Sequence, residues 1–210
     1  MSLIALPQVI SIGDGIDYYP GVFDRDAQTA LLRDVAAIIA AAPYFTPRMP
    51  RSAKPFSVEM TNAGSLGWVS DVDGYRYQPN HPVTGEPWPP IPGVLLGLWS
   101  TLGAPLVPEA CLVNHYQGKA KLGLHQDRDE ETFDAPVVSV SLGDSAVFRV
   151  GGEHRRDPTR SLKLHSGDVI TLGGPGRLAF HGIDRVITGS STLWDGGGRI
   201  NLTLRRVTRA

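Results

Sequence analysis

The sequence contains a histidine and an aspartate separated by one residue, His125 and Asp127, in the segment HQD. On an extended strand, residues i and i+2 point to the same face, so an imidazole nitrogen and a carboxylate oxygen can converge on one point. They would be two of the three ligands of a 2-His-1-carboxylate site, which leaves three positions open on a non-haem Fe(II). Alone, the pair is weak evidence, because a surface histidine beside an acidic loop has the same sequence.

The third ligand has three candidates in the second half of the chain, His154, His165 and His181. His154 and His165 lie in segments whose glycines and neighbouring residues are typical of turns. His181 follows the apolar residues 178–180, so it is the best candidate for a buried ligand on a strand. The alternative for His181 is a hydrogen-bonded core histidine that binds no metal.

The segment 199–205, RINLTLR, alternates between polar and aliphatic residues. The polar face carries Arg199, Asn201, Thr203 and Arg205. Burying two guanidinium groups without anions is very costly, and two arginine forks on one face fit a dicarboxylate, one carboxylate for each fork. The alternative is an edge strand whose polar face lies in water.

Four motifs occur in order along the chain: 114–116 (NHY), 125–130 (HQDRDE), 177–182 (RLAFHG) and 199–205 (RINLTLR). Together they resemble the AlkB family of Fe(II)/2-oxoglutarate-dependent dioxygenases, and the resemblance extends from Thr61 to Arg205. It implies Fe(II), with 2-oxoglutarate and O2 as cosubstrates. The implied metal ligands and catalytic residues are His125, Asp127 and His181, and the implied 2-oxoglutarate contacts are Asn114, Tyr116, Arg199, Asn201 and Arg205.

Residues 61–92 have little hydrophobic periodicity, many turn residues and four aromatic residues at positions 68, 75, 77 and 88. Aromatic rings on such a segment suit stacking on a nucleobase, and the alternative is an aromatic cluster that only anchors the segment. The resemblance implies a nucleotide-recognition lid. The implied substrate contacts are Trp68 for stacking, opposite His125, together with Met60, Tyr75, Asp129 and Arg155. Asp129 would recognise a cationic base, the alternative being an exposed acidic loop.

The resemblance further implies direct-reversal repair by oxidative dealkylation of N-alkylated bases such as 1-methyladenine and 3-methylcytosine. The implied substrate is alkylated single- or double-stranded DNA, or RNA. The reaction is coupled to decarboxylation of 2-oxoglutarate to succinate and CO2, with release of formaldehyde. Two alternatives stay open: a 2-oxoglutarate-dependent hydroxylase of a protein or small molecule, and a non-catalytic module that binds methylated nucleic acid.

Composition narrows the cellular setting. The net charge is −1, so a nucleic acid would be met by a local basic patch. The single cysteine excludes intrachain disulfides, which fits a reducing compartment. Residues 1–20 contain no arginine or lysine, and the longest uncharged stretch, 87–108, is interrupted by proline and glycine. We expect a cytoplasmic monomer that does not contact a membrane.

The pattern of short strands and glycine-rich turns predicts a mostly β (α+β) fold, a double-stranded β-helix (jelly roll, cupin-like) with flanking helices. We expect a helix over 27–42 with Asp26 as its N-cap, a second helix over 91–102 and a strand over 56–60. We also expect two hairpins, one through 143–145 and one through 165–167. The predicted regions are an N-terminal extension with a supporting helix (1–55), the lid (56–92) and the catalytic core (93–210), within one structural domain.

Overall fold

The computed structural model describes residues 6–209, which contain thirteen strands and two α-helices. In chain order the strands are β1 (Ile10–Gly13), β2 (Ile16–Tyr19), β3 (Glu59–Gly64), β4 (Gly67–Asp71), β5 (Gly74–Gln78), β6 (Ala110–Tyr116), β7 (Leu122–His125), β8 (Val137–Gly143), β9 (Ser145–Val150), β10 (Arg160–Leu164), β11 (Val169–Leu172), β12 (His181–Ile187) and β13 (Arg199–Arg205). The helices are α1 (Arg25–Ala41) and α2 (Gly93–Thr101). No helix in the described part of the chain is long and apolar enough to cross a membrane.

Eleven of these strands form two antiparallel sheets. The larger sheet has the order β1-β2-β11-β8-β13-β6-β3, and the smaller has the order β10-β9-β12-β7. The remaining pair, β4 and β5, forms a separate hairpin within the predicted lid. The mostly β, jelly-roll prediction is confirmed.

The two predicted hairpins are wrong, because each short turn carries the chain from one sheet to the other. β8 pairs with β11 and β13 in the larger sheet, whereas β9, which follows it directly, pairs with β10 and β12 in the smaller one. Likewise, β10 and β11 lie in different sheets. Gly143 makes the first corner with φ of 82°, and a Cβ there would lie 2.1 Å from the Trp194 ring. Alternation in the sequence is the same for a hairpin and for such a corner.

Helix α1 begins two residues before the predicted start. Asp24, not Asp26, is the N-cap, and its carboxylate accepts a hydrogen bond from the amide of Ala27 at 2.9 Å. Helix α2 begins at Gly93 and ends at Thr101, one or two residues inside the predicted range. The strand expected over 56–60 begins only at Glu59 and continues to Gly64.

Two main hydrophobic clusters lie on opposite faces of the larger sheet. On its outer face, Leu31, Val35 and Ile38 of α1 share a cluster with strand residues such as Leu202. The second cluster occupies part of the space between the sheets and includes Phe148. The helices therefore cover the outer face, and the rest of the space between the two sheets is left for a site.

The predicted regions 1–55, 56–92 and 93–210 all contribute strands to the larger sheet, through β1 and β2, β3, and the later strands respectively. The lid hairpin packs on the domain through Trp88, which clusters with Ala42 and Val69. A Cβ on Gly67 would lie 2.4 Å from the Trp88 ring, so the hairpin and this ring are in close contact. The assignment of separate roles to the three regions stays a prediction.

Asp144 holds the loop that leads into β13. Its buried carboxylate accepts hydrogen bonds from the amides of Gly189, Ser191 and Gly198 at 3.2, 3.0 and 3.0 Å. We expect Asp144→Ala to lower the free energy of unfolding by about 2–4 kcal/mol, because several loop amides lose a charged acceptor. Urea denaturation would measure the change.

The matched control is Asp195→Ala, since Asp195 is exposed in the same loop and accepts no hydrogen bond among those observed in the described chain. That variant should stay within about 0.5 kcal/mol of the parent. Equal urea midpoints for the two variants would contradict this role of Asp144.

Candidate active site

His125, Asp127 and His181 meet at the end of the space between the two sheets. One potential ligand atom from each lies within 4.8 Å of the other two. Nε2 of His125 is 3.6 Å from Oδ1 of Asp127, and Nε2 of His181 is 3.7 Å from Oδ2. The structure therefore brings the predicted pair together with the best of the three candidate histidines. The other two candidates, His154 and His165, do not line the cavity in which these three residues lie.

Strand pairing positions both imidazoles. His125 ends β7 and is the register partner of His181, which begins β12. Nδ1 of His125 lies 2.9 Å from the carbonyl of Gly123, and Nδ1 of His181 lies 2.9 Å from that of Ala179. A carbonyl can only accept, so Nδ1 is the donor in each case, and Nε2 is the ring nitrogen that faces Asp127 and could bind a metal.

Asp127 lies beyond the end of β7, so the two residues are not held on one strand as the spacing predicted. Two arginines hold it instead. Arg205 donates from Nε and Nη2 to Oδ2 at 3.1 and 2.8 Å, and Arg177 donates from Nη1 to the Asp127 carbonyl at 2.7 Å. Contacts with Arg177, in the turn before β12, and with Arg205, on β13, thus replace the strand geometry that the sequence suggested.

Burial and charge set the protonation of the site. Burial alone would raise the pKa of Asp127, but the positive charge of Arg205 and the two imidazoles hold it well below its usual range. Burial, with the neighbouring His125, lowers the pKa of His181 to about 4. At neutral pH the site therefore contains a carboxylate and a neutral imidazole at position 181, the forms that bind a cation.

A second buried carboxylate, Glu130, supports the same arginines. Oε2 lies 3.2 Å from Nη2 of Arg177, and Oε1 lies 3.4 Å from Nε of Arg205. Oε1 also accepts a hydrogen bond of 2.6 Å from the hydroxyl of Tyr77. No role was predicted from the sequence for Glu130, Arg177 or Tyr77, although each lies in a motif or aromatic segment described above. A usable signal was Arg177 itself, an arginine that directly precedes the apolar run leading to His181.

Arg199, on the same face of β13, has no anionic partner. Its side chain is 1% exposed, and Nη2 donates to the hydroxyl of Ser141 at 3.0 Å, while Nε and Nη1 have no hydrogen-bond partner. The ring of Tyr116 lies below the guanidinium at 5.2 Å, and burial lowers the pKa of Arg199. A buried cation with two free donors fits a carboxylate ligand.

The side-chain amides of Asn201 and Asn114 differ in whether all their polar atoms have hydrogen-bond partners within the protein. Asn201 is used within the protein, since Nδ2 donates to Ser139 Oγ at 2.7 Å and Oδ1 accepts from Thr203 at 2.8 Å. Asn114 donates to Asn201 at 3.2 Å, but its own Oδ1 is buried and unpartnered. Asn114 therefore keeps one free polar atom in the cavity.

Four of the five predicted substrate residues, Trp68, Tyr75, Asp129 and Arg155, lie at the solvent-accessible part of the cavity wall, whereas Met60 is buried. The Trp68 ring stacks on Tyr75 with centroids 5.7 Å apart, and its Nε1 donates to Oδ2 of Asp129 at 2.8 Å. Arg155 donates to a backbone carbonyl and lies over the Phe180 ring. Asp129 is therefore not only part of an exposed acidic loop, because the indole N–H fixes its orientation.

All thirteen predicted site residues line one cavity of about 650 Å³. They are Met60, Trp68, Tyr75, Asn114, Tyr116, His125, Asp127, Asp129, Arg155, His181, Arg199, Asn201 and Arg205. The same wall includes apolar side chains from both sheets, such as Val137 and Ile183. Its volume is in the range of small-molecule and cofactor sites.

The low pKa of His181 has a consequence for the stability of the metal-free protein. The unfolded chain, with a histidine pKa of 6.5, binds a proton at higher pH than the folded chain, in which the pKa is about 4. The free energy of unfolding should therefore fall as the pH is lowered from about 6.5 to about 4. Urea midpoints of metal-free protein across this range would measure the fall.

His181→Asn is the comparison variant, because it removes the titrating group and keeps a polar side chain of similar reach. Its urea midpoint should depend less steeply on pH between these values than that of the parent. The same slope in both proteins would show that His181 is not the group responsible.

The sequence is similar to known proteins along most of its length. The chain matches the family model of the 2OG-Fe(II) oxygenase superfamily over residues 15–205. It is 55% identical over 211 residues to an alpha-ketoglutarate-dependent dioxygenase AlkB homolog of Caulobacter vibrioides, covering 100% of this chain and 94% of that relative. It is 41% identical over 189 residues to the alpha-ketoglutarate-dependent dioxygenase AlkB of Escherichia coli, covering 88% and 87%.

A solved structure agrees with these matches. OsALKBH1 superimposes with a TM-score of 0.83 at 30% sequence identity, covering 95% of this chain and 100% of that one. The similarity therefore includes both sheets and the space between them, where the two histidines, the aspartate and Arg199 lie. The chain belongs to the AlkB family within the 2OG-Fe(II) oxygenase superfamily, and it is an Fe(II)- and 2-oxoglutarate-dependent dioxygenase.

Proposed function

We propose that this enzyme removes N-linked alkyl groups from cationic nucleobases by oxidative dealkylation. The observation that carries the proposal is that the His-Asp-His cluster and the hydrogen-bonded pair of Trp68 and Asp129 line the same cavity, with the pair nearer to solvent. The Trp68 ring, hydrogen-bonded to the Asp129 carboxylate, suits a flat cation better than it suits an aliphatic or anionic substrate. The alkylated bases 1-methyladenine and 3-methylcytosine are the substrates proposed.

The proposed Fe(II) ligands are Nε2 of His125, Nε2 of His181 and the carboxylate of Asp127. Two neutral imidazoles and one carboxylate are the donor set of a facial triad, which leaves three coordination positions for other ligands. The backbone hydrogen bonds at both Nδ1 atoms and the Arg205 pair at Oδ2 support the assignment, because metal ligands are commonly oriented in this way.

The proposed 2-oxoglutarate contacts begin with Arg199. Its two unpartnered nitrogens would receive the distal carboxylate, with Tyr116 and Asn201 beside it. Asn114, with its amide turned so that Nδ2 donates to the ligand, and Arg205 would lie near the end of 2-oxoglutarate that is close to the metal. The existing pair of Arg205 with Asp127 leaves it a weaker candidate for a direct contact than Arg199.

The proposed substrate contacts place the base between two rings. Trp68 would stack on one face and His125 on the other, and Oδ1 of Asp129 would receive a donor from the alkylated base, since Oδ2 is held by Trp68. Tyr75, Met60 and Arg155 would contact the rest of the nucleotide. The base must leave its stack to enter this cavity, which favours single strands and lesions that weaken pairing.

Fe(II), 2-oxoglutarate and O2 supply the oxidation that hydroxylates the N-linked alkyl carbon, after which the carbon leaves as formaldehyde and the base is restored. The protein orients the reactants and excludes water. Asp129 holds the cationic ring, Arg199 holds the cosubstrate carboxylate, and the low pKa values of Asp127 and His181 keep protons off the metal ligands. DNA and RNA are both proposed substrates, and the enzyme is proposed to be a cytoplasmic monomer.

The decisive experiment is repair of a single-stranded oligonucleotide that contains one 1-methyladenine. The protein is loaded with Fe(II) and 2-oxoglutarate without oxygen and then exposed to air, and the oligonucleotide mass is measured. Loss of one methyl group, dependent on both additions, is the expected result. Succinate without repair would support hydroxylation of another substrate, and no succinate would disprove the proposed metal site.

Asp127→Asn is the matched control for that experiment. It removes the ligand charge but keeps an acceptor for Arg205, whereas Asp127→Ala would leave the buried Arg205 with only its longer contact to Glu130 and is expected to destabilise the fold by about 3–5 kcal/mol. We expect repair by Asp127→Asn to fall at least about a hundredfold, since a metal ligand is weakened. Repair at the parental rate would remove Asp127 from the site.

Trp68 is predicted to serve the substrate both through its ring and through its N–H. Trp68→Phe keeps a ring but loses the bond to Asp129, so kcat/KM for a 1-methyladenine oligonucleotide should fall roughly tenfold. Trp68→Ala loses both and should fall by about one to two further factors of ten, given the usual strength of base stacking. Steady-state kinetics with each variant measures these ratios.

Decarboxylation of 2-oxoglutarate without nucleic acid provides the reference for Trp68. It should fall far less than repair in both variants, since Trp68 lies at the opening of the cavity. An equal loss of the two activities would show that Trp68 is structural.

A further inference from the structure

Tyr77 connects the lid to the interior of the site. It lies on β5 of the lid hairpin, and its hydroxyl donates to Oε1 of Glu130 at 2.6 Å. The side chain of Glu130 is only 1% exposed, so this is a short bond to a buried carboxylate, of the strong charge-assisted kind. Tyr75, on the same hairpin, makes no such bond, since its hydroxyl contacts Sδ of Met49 at 3.8 Å.

The connection continues from Glu130 to a proposed metal ligand. Nε of Arg205 lies 3.4 Å from Oε1 of Glu130 and 3.1 Å from Oδ2 of Asp127. Arg205 therefore lies between two carboxylates that compete for the same guanidinium edge. Nη2 of Arg205 strengthens the Asp127 side at 2.8 Å.

The Tyr77 hydroxyl donates to the same Glu130 oxygen that faces Arg205, so it affects which of the two carboxylates binds Arg205. While Tyr77 donates to Oε1, Glu130 has a second donor there and Arg205 stays with Asp127. Without that donor, the buried oxygen has Arg205 as its remaining partner, because unpaired buried carboxylates are costly. Glu130 would then draw Arg205 away from Asp127.

We propose that Tyr77 is a positioning residue that couples the lid to the metal ligand Asp127 through Glu130 and Arg205. This inference rests on the proposed function, because it takes Asp127 as a metal ligand. Coupling between two sites is reciprocal. If the closed lid favours the Asp127 geometry that binds metal, metal and 2-oxoglutarate must in turn favour the closed lid.

The test is hydrogen exchange of the lid amides in residues 67–78, without oxygen, before and after addition of Fe(II) and 2-oxoglutarate. In the parent, loading with Fe(II) and 2-oxoglutarate should slow exchange at these amides by about tenfold. One hydrogen bond to a charged group changes an equilibrium constant by roughly that factor. In Tyr77→Phe, loading should slow exchange by less than about twofold, and the Kd for Fe(II) should rise roughly tenfold.

Tyr75→Phe is the matched control, since it removes a hydroxyl from the same hairpin without touching Glu130. Its lid should respond to loading as the parent's lid does. An equal response in Tyr77→Phe and Tyr75→Phe would overturn the coupling.

One further measurement and one further variant distinguish failure of the proposed metal site from failure of the coupling. The charge-transfer absorption of the Fe(II)–2-oxoglutarate complex is recorded in the same samples: its absence from the parent would disprove the proposed metal site, whereas its presence without any lid response would disprove only the coupling. If Tyr77→Phe is poorly folded, Glu130→Gln replaces it. This variant keeps an acceptor for Tyr77 but loses the charge that attracts Arg205, so its lid should also lose most of the response to loading.

Discussion

The burial of charge at one end of the jelly roll is the constraint on which the rest of the structure depends. Asp127, Glu130, Arg177 and Arg205 are all buried, and each is within 3.4 Å of an opposite charge or of a backbone group that it binds. Buried ions are tolerated only when they are paired and hydrogen-bonded. Arg199 is the exception, because its free nitrogens have no anion in the protein. The folded protein thus contains one buried cation that lacks an anionic partner and could bind a carboxylate, next to the three proposed metal ligands.

The two sheets divide the work of building this site. The smaller sheet contributes the histidines, which are register partners on β7 and β12. The larger sheet contributes the arginines and amides of β13 and β6, which pair along their full length. Because the chain crosses between the sheets at tight corners, the two sets face each other across the same cavity. Asp144 holds one of these corners to the loop that precedes Arg199.

The lid participates through hydrogen bonds as well as through aromatic contacts. Trp68 fixes Asp129 at the opening, and Tyr77 reaches Glu130 in the interior. One strand hairpin therefore contacts both the group proposed to recognise the base and the network that supports a proposed metal ligand. We propose that substrate selection and metal geometry are connected in this way, because Trp68 and Tyr77 lie on the same short hairpin.

The sequence by itself determined which residues of β13 share one face, since strand alternation depends only on local geometry: Arg199 and Arg205 lie on one face of β13 as predicted. It also predicted the jelly roll and helix α1. Tertiary structure decided what local pattern cannot encode. A corner between sheets and a hairpin show the same alternation of residues, so the sequence did not decide which sheet contains β9. Asp127 lies beyond its strand, and only distant contacts with Arg177 and Arg205 orient it. Pairing between residues far apart in the chain depends on packing, which a single sequence does not display.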